Sequence, residues 1–344
     1  MASQDDVQPV FLIGCQRSGS NLLQLLLSLH DKVAAPHPPK YLDEVLPRVV
    51  DESRLQDDAT FEAFVSLSRN IVRANPVPWE SMDGVSTQEV LEACAERSVM
   101  GVFDALMNTN AIQGGCTKWI CKAMNYSKHA DKLVDYYGSR VKFIYLYRDP
   151  REVALSFTKA IDGEKHVYAI AKKWAKLQDH VQHVLQTYPK QVIKVSYEEL
   201  TADPDSTLQR LCTFLGFKFN PTYRQDFAQS EEGRKRAAAS EMWRNLAQGE
   251  ILATNTEKYK KQLTEDQIKI VERVTKEHLL GLGYSLMFPA SVDTPFSTEE
   301  VGAYEEENAA LKESVLAKSD PEDVRRRQAL KSLYESIPAT LGMQ

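Results

Sequence analysis

The sequence predicts an α/β protein in which helices cover both faces of a central parallel sheet, a three-layer α/β/α arrangement. Short apolar runs typical of strands recur along the chain, and helical sequence lies between them. The first run also leads through a Gly-Ser-rich turn directly into a helix. Strands that alternate with helices favour parallel pairing, because each crossover helix returns the chain to the same edge of the sheet.

Four apolar runs are predicted as the strands of this sheet. Each is short and rich in β-branched or aromatic residues, as buried strands are. In chain order they are VFLIG (10–14), TKWIC (117–121), VKFIYLYR (141–148) and QVIKVSY (191–197).

Helical sequence accompanies these strands. A helix begins at about Ser20, where closely spaced leucines form a broad apolar surface. From Pro36 the sequence PHPPKYL cannot continue that helix and is predicted to be a loop. Amphipathic helices are predicted at 60–75 and 86–108, and helical sequence fills 152–161 and 168–188.

The chain changes character after Gly283. We predict a main domain at 1–284, a linker at 285–299 and a charged helical C-terminal extension at 300–344. Pro321 and its neighbours resemble a helix start, and one apolar stripe is expected on the extension, made of Val324, Leu330, Leu333 and Tyr334. Either a solvated tail or a dimerisation or docking arm fits this pattern, so a homodimer stays open.

The bulk properties are those of a soluble globular protein. The 344 residues are 43% hydrophobic and 26% charged, with a net charge of −6. This charge argues against a general nucleic-acid binder, and no apolar run is long enough for a membrane span. MASQDDVQPV lacks the features of a signal peptide, and the five cysteines lack metal-ligand spacing. We therefore expect a cytoplasmic protein without a metal site.

The turn after the first strand almost matches a nucleotide-triphosphate loop. Gly14 and Gly19 occupy its two glycine positions, but Ser20 and Asn21 replace the lysine and the magnesium-binding hydroxyl. Backbone N–H groups at a helix N-terminus attract a phosphate, and Arg17 is the only cation in the loop. The loop therefore indicates a phosphate ester whose chemistry needs no metal.

A second anion site is predicted after the third strand, in YLYRDPREVALSF. Asp149 and Pro150 suit a helix start, and Glu152 is expected to complete a capping box. Those roles do not explain Arg148, at the carboxyl end of the strand, or Ser156, two turns into the helix. Ligands collect beyond the carboxyl ends of parallel strands, so these two residues are candidates to hold a second anionic group.

Together the two motifs resemble those of sulfotransferases that use 3′-phosphoadenosine 5′-phosphosulfate, which have a P-loop-like fold. CQRSGSNLL is similar to the family's 5′-phosphosulfate loop, although Asn21 stands where threonine is usual, and YRDPREVALSF is similar to its 3′-phosphate motif. The resemblance covers about 9–284. It implies a donor site that leaves adenosine 3′,5′-bisphosphate as product, formed by Gln16, Arg17, Ser18, Gly19, Ser20, Asn21, Arg148, Ser156, Tyr197, Arg236 and Trp243.

Sulfuryl transfer needs a base for the acceptor's proton and positive charge around the sulfonate. The resemblance implies Arg17 and Lys122 as the cations, and it allows either a histidine or a glutamate as the base. His37 lies close to the point where heparan-type relatives carry their catalytic glutamate, and flanking prolines hold it rigidly. His166 is the alternative base and His129 a third candidate.

The prediction is therefore a metal-free sulfotransferase with His37 as base, acting on a hydroxyl of a small-molecule or carrier-tethered acceptor. Two alternatives stay open. A P-loop nucleotide kinase would need a magnesium site that Ser20 and Asn21 do not supply. A non-catalytic module that binds adenosine bisphosphate would retain the cradle without turnover.

Overall fold

A computed structural model describes residues 7–37, 40–75, 79–160, 163–229, 256–317 and 321–342. It confirms the α/β class with a central parallel sheet. The strands follow the spatial order β2-β3-β1-β4-β5. Their bounds are β1 Gln8–Gly14, β2 Val33–Ala34, β3 Lys118–Cys121, β4 Lys142–Tyr147 and β5 Val192–Ser196.

The four predicted strands correspond to β1, β3, β4 and β5. Both β1 and β2 run parallel to β3, with Val10 opposite Ile120 and Val33 opposite Lys118. β2 was not predicted, because a strand of two residues carries no periodic pattern. β1 and β4 are neighbours in the sheet, so the turn after β1 and the motif after β4 start from adjacent strands.

The helices fall between and after these strands. α1 is Ser20–Ser28 and α2 is Tyr41–Val45. They are followed by α3 Asp58–Arg73, α4 Thr87–Ala93, α5 Val99–Gln113, α6 Ala130–Tyr137, α7 Pro150–Thr158, α8 Val167–Thr187, α9 Tyr197–Ala202, α10 Pro204–Leu215 and α11 Tyr223–Gln229. The remaining described helices are α12 Tyr259–Gln262, α13 Glu265–Gly281, α14 Thr298–Ala317, α15 Pro321–Glu335 and α16 Ile337–Thr340.

The chain divides into two compact units. The described residues within 1–12, 24–143 and 320–344 form the first unit, and those within 13–23 and 144–319 form the second. The division predicted from the sequence, at 284 and 299, stays a prediction. Within the described ranges no helix is both long and apolar enough to cross a bilayer.

The core of the first unit is aromatic. Phe11 of β1 lies against Phe103 of α5 and Trp119 of β3, with ring centroids 6.2 and 5.2 Å away. Tyr126 and Tyr137 also contact Phe11. Edge and stacked contacts of this kind join α5 to the sheet.

Two local predictions in the first unit were wrong. The predicted helix at 86–108 is divided into α4 and α5, because Ser98 accepts the Gly101 amide and starts a new helix. The predicted loop through Tyr41 gives way to α2. The Leu42 amide donates to Tyr126 Oη at 2.7 Å, which satisfies a first-turn donor inside the core.

The end of the C-terminal extension packs on its own chain. α15 and α16 lie against α3, where Tyr334 and Ile337 are buried. α15 begins at Pro321, as predicted. Of the stripe expected from the sequence, Tyr334 is fully packed, whereas Leu330 and Leu333 are half-buried. A freely solvated tail therefore does not describe this part of the extension.

The second unit has a separate core between α7, α8 and α13. Val153, Trp174 and Val271 are fully buried there, and Cys15 from the turn after β1 joins them. Phe296 and Tyr304 pack at its edge, so the first part of the extension, α14, lies against α8. This core fixes the start of α7 and the turn after β1, which carry the predicted anion site.

Candidate functional site

The turn between β1 and α1 has the backbone of an anion cradle. Arg17 and Gly19 both have positive φ, 70° and 91°, which bends the chain into the N-terminus of α1. Ser18 is 0% exposed, and its Oγ has no hydrogen-bond partner among the residues that the structure describes. A buried hydroxyl without a partner at a helix N-terminus fits a bound phosphate or sulfonate oxygen.

Gly19 is required by a close approach to Tyr197, the first residue of α9. A Cβ on Gly19 would come within 3.0 Å of two carbons of the Tyr197 ring. Tyr197 is itself buried. The family resemblance implied that Tyr197 lies near the nucleotide, and in the structure its ring lies directly against the predicted cradle.

Arg148 lies at the end of β4, buried beside the same ring. Its guanidinium carbon is 4.1 Å from the centroid of Tyr197, a cation–π distance. Nη1 donates to the backbone oxygen of Arg17 at 3.3 Å, and Nη2 donates to Glu152 at 3.1 Å. Arg148 thus connects the β4 motif to the backbone of the cradle and has a carboxylate that fixes its orientation.

A second link joins the side chains of the two predicted motifs. Arg17 Nε donates to Ser156 Oγ at 2.9 Å. Arg17 is exposed, whereas Ser156 is half-buried on α7. Three separate stretches of the sequence therefore meet in the structure, which brings together Arg17, Ser18, Gly19, Arg148, Ser156 and Tyr197.

The other loop residues of the prediction lie around this cluster. Gln16 is half-buried and Ser20 is buried at the first position of α1, while Asn21 is exposed. Arg236 and Trp243 lie outside the described residues.

The expected capping box at α7 is absent. Glu152 does not bond the Asp149 amide; its Oε1 accepts the Tyr259 amide at 3.0 Å, while Oε2 pairs with Arg148. Glu198 of α9 accepts the Asp149 amide instead, at 3.3 Å. Glu152 is thus used to orient Arg148, and it also binds the amide of Tyr259, 107 residues away along the chain.

An ion-pair network that the sequence analysis missed holds the start of α7. Asp149 accepts hydrogen bonds from Nε and Nη2 of Arg151 at 2.9 and 2.7 Å. Arg151 Nη1 donates a hydrogen bond to Glu272 of α13 at 2.5 Å. Burial alone would lower the pKa of Arg151, but Asp149 and Glu272 raise it. The guanidinium therefore stays charged and fixes α7 beside Arg148.

Glu198 was also missed. Its Oε2 accepts the Tyr284 hydroxyl at 2.8 Å, and burial raises its pKa. The only sequence signal was its place beside Tyr197 at the start of α9, in KVSYEEL. Its bond to the Asp149 amide ties α9, and so the Tyr197 ring, to the start of α7.

In the first unit, His37 is held by a neighbouring asparagine. His37 Nδ1 lies 3.0 Å from Asn75 Oδ1, and Asn75 Nδ2 donates to the His37 backbone oxygen at 2.7 Å. Trp79 Nε1 donates to the same oxygen at 2.7 Å. Gln24 of α1 donates to the oxygens of Ala35 and Pro36. The half-buried histidine is therefore fixed through both its backbone and its ring.

Two other predicted residues of the first unit, Lys122 and His129, follow β3 in the chain. Lys122 comes directly after β3 and is half-buried. His129 lies 3.0 Å from Asp43. Burial alone would raise the pKa of Asp43, but hydrogen bonds from His129 and Lys128 lower it. His129 therefore has a carboxylate partner.

His166, the alternative base, belongs to the second unit and caps α8. Its Nδ1 accepts the Tyr168 amide, and its ring stacks on Tyr304 of α14 with centroids 4.7 Å apart. Burial lowers its pKa, an effect that Glu307 partly opposes. The structure thus gives His166 a structural role at the junction of α8 and α14.

Comparison with known proteins gives one family. A family model described as "Sulfotransferase family" matches residues 9–221, more than half of the chain. No curated protein sequence gives a significant match.

Several solved structures have folds similar to that of this chain. The sulfotransferase domain from the curacin biosynthetic pathway has a TM-score of 0.52 at 18% identity, over 81% of this chain and 99% of that domain. The corresponding domain of the Synechococcus PCC 7002 olefin synthase gives 0.49 at 20%, over 77% and 94%. Mouse sulfotransferase SULT7A1, solved with PAP, gives 0.41 at 14%, over 80% and 88%. The curacin-pathway domain supports the fold assignment, and at these identities no more than the fold follows.

Replacing Gly19 by alanine tests the contact between the cradle and Tyr197. We expect the free energy of unfolding to fall by more than about 3 kcal/mol, since a positive φ and a steric clash with the ring combine. Gly84→Ala is the matched control: Gly84 has a φ of 82°, and no atom lies within 4 Å of its added Cβ. That control is expected to cost about 1–2 kcal/mol. Equal losses in urea denaturation would show that the Tyr197 contact does not constrain the loop.

Proposed function

The chain belongs to the sulfotransferase family, and on that basis we propose that it transfers a sulfuryl group from 3′-phosphoadenosine 5′-phosphosulfate to a hydroxyl of a small-molecule or carrier-tethered acceptor. The junction of the two anion motifs carries the proposal. Arg17 bonds Ser156 directly, and the buried Ser18 hydroxyl beside them has no partner among the described residues.

The donor is proposed to bind through the loop and the start of α7. The backbone amides of 16–21, the N-terminus of α1 and the Ser18 hydroxyl suit the 5′-phosphosulfate. Arg148 and Ser156 are proposed for the 3′-phosphate. A guanidinium that Glu152 and the Tyr197 ring already orient loses little further conformational freedom when a phosphate binds.

The proposed reaction is a single displacement at sulfur. The acceptor oxygen forms a bond to sulfur as the bond from sulfur to the bridging 5′-phosphate oxygen breaks. Adenosine 3′,5′-bisphosphate leaves with that electron pair, and the acceptor proton passes to His37. Arg17 and Lys122 are proposed to stabilise the negative charge that develops on the sulfonate and leaving phosphate.

Arg148 is expected to contribute most of the affinity for the 3′-phosphate. Removing it alone would leave Glu152 as an unpaired buried charge, so the comparison is made in the Glu152→Gln background. Adding Arg148→Met to that background should weaken binding of adenosine 3′,5′-bisphosphate by about 2–4 kcal/mol in calorimetry. Binding of 5′-AMP, which lacks the 3′-phosphate, should change much less. Equal losses for both nucleotides would contradict the assignment of Arg148.

Turnover tests the function itself. Transfer of label from ³⁵S-labelled donor is measured with a panel of phenols, alcohols and hydroxyacyl pantetheine thioesters. His37→Ala should lower kcat by about 10²–10⁴-fold, as expected for loss of a general base, while donor affinity stays near that of the wild type. Wild-type turnover in His37→Ala together with loss in His166→Ala would move the base to His166. If no acceptor class receives the label, the result would count against an enzymatic function and favour a binding module.

A further inference from the structure

The contacts between Asn75 and His37 determine where the imidazole proton lies. A carboxamide nitrogen only donates, and the backbone oxygen of His37 only accepts, so the 2.7 Å bond from Asn75 Nδ2 fixes which way the amide faces. Asn75 Oδ1 is therefore the atom that faces the ring, 3.0 Å from Nδ1. An oxygen that only accepts must meet a protonated Nδ1, so the proton lies on Nδ1 in the neutral ring.

A neutral imidazole carries one N–H, so protonation of Nδ1 leaves the lone pair on Nε2. An unconstrained neutral histidine favours the opposite tautomer, with the proton on Nε2. Asn75 is 5% exposed, which limits rotation of its amide. Trp79 donates to the backbone oxygen of His37, and Gln24 donates to those of Ala35 and Pro36.

We propose that Asn75 is a positioning residue that selects the Nδ1–H tautomer of His37 and so presents the Nε2 lone pair to the acceptor hydroxyl. A general base must offer a lone pair in a fixed direction, and the asparagine supplies both the tautomer and the ring orientation. This inference rests on the proposed function in one respect, the assignment of His37 as the base.

The tautomer is measured directly by long-range ¹H–¹⁵N correlation spectra of histidine-labelled protein at a pH where the ring is neutral, with His37→Gln used to assign the signal among the seven histidines. We expect His37 to be protonated on Nδ1 in the wild type. Asn75→Ala should shift the ring towards the Nε2–H form. Trp79→Phe, which removes only the bond to the backbone oxygen, should leave the tautomer unchanged. A wild-type ring protonated on Nε2, or one unaffected by Asn75→Ala, would overturn the proposal.

Kinetics test whether the tautomer matters for transfer. Asn75→Ala should lower kcat about 10- to 100-fold with the donor KM unchanged, because the base is misplaced while the donor site is intact. Asn75→Asp keeps an acceptor for Nδ1 and adds a negative charge, which favours the imidazolium. In the Asn75→Asp variant, the acid limb of the plot of kcat against pH should therefore move to higher pH by about one unit or more. The limb would not move if the base were a group other than His37, whose ring lies beside residue 75.

Failure of the base assignment and failure of the positioning role give different results. If His37→Ala retains full turnover, the base assignment of the proposed function is wrong. If His37→Ala is inactive but Asn75→Ala transfers at the wild-type rate and Asn75→Asp has the wild-type pH profile, only the positioning role is overturned. If Asn75→Ala does not fold, the near-isosteric Asn75→Asp provides the pH test on its own.

Discussion

The ring of Tyr197 is the constraint on which the proposed anion site of the second unit depends. Gly19 approaches it so closely that no side chain fits, and the guanidinium of Arg148 stacks 4.1 Å from its centroid. The turn after β1 and the arginine after β4 are therefore packed on one aromatic surface. Glu198, the next residue, bonds the Asp149 amide and so ties the ring to the start of α7. Binding groups from distant parts of the chain thus become one preorganised cluster, which lowers the entropic cost of holding an anion.

The loop lacks the lysine of a nucleotide-triphosphate loop, so its positive charge comes from Arg17 instead. A lysine would supply a point charge on a flexible stem, whereas Arg17 has a planar guanidinium that is exposed and whose Nε bonds Ser156. Arg148 is buried and paired with Glu152. One cation is thus accessible and the other is preoriented. This division fits the proposed donor, which carries anionic groups at two separate places.

Local signals in the sequence were enough to predict β1, β3, β4 and β5 and the turn at 17–20, because apolar runs and glycine positions act over a few residues. The partners of those residues could not be predicted in the same way. Glu152 fits a capping box by spacing, but in the fold it pairs with Arg148, one helical turn away, and accepts a hydrogen bond from the Tyr259 amide, 107 residues away. The pairing of His37 with Asn75 depends likewise on the path of the chain across 38 residues. Such contacts follow from packing, which no short motif records.

The most direct test is calorimetric titration of the protein with adenosine 3′,5′-bisphosphate, 5′-AMP and ATP–Mg²⁺ under the same conditions. A donor site with two anion subsites should bind the bisphosphate at least about tenfold more tightly than either other nucleotide, a difference of about 1.4 kcal/mol or more. Equal or tighter binding of ATP–Mg²⁺ would contradict the account and favour a kinase. Absence of binding by all three would show that the cradle after β1 is a structural turn.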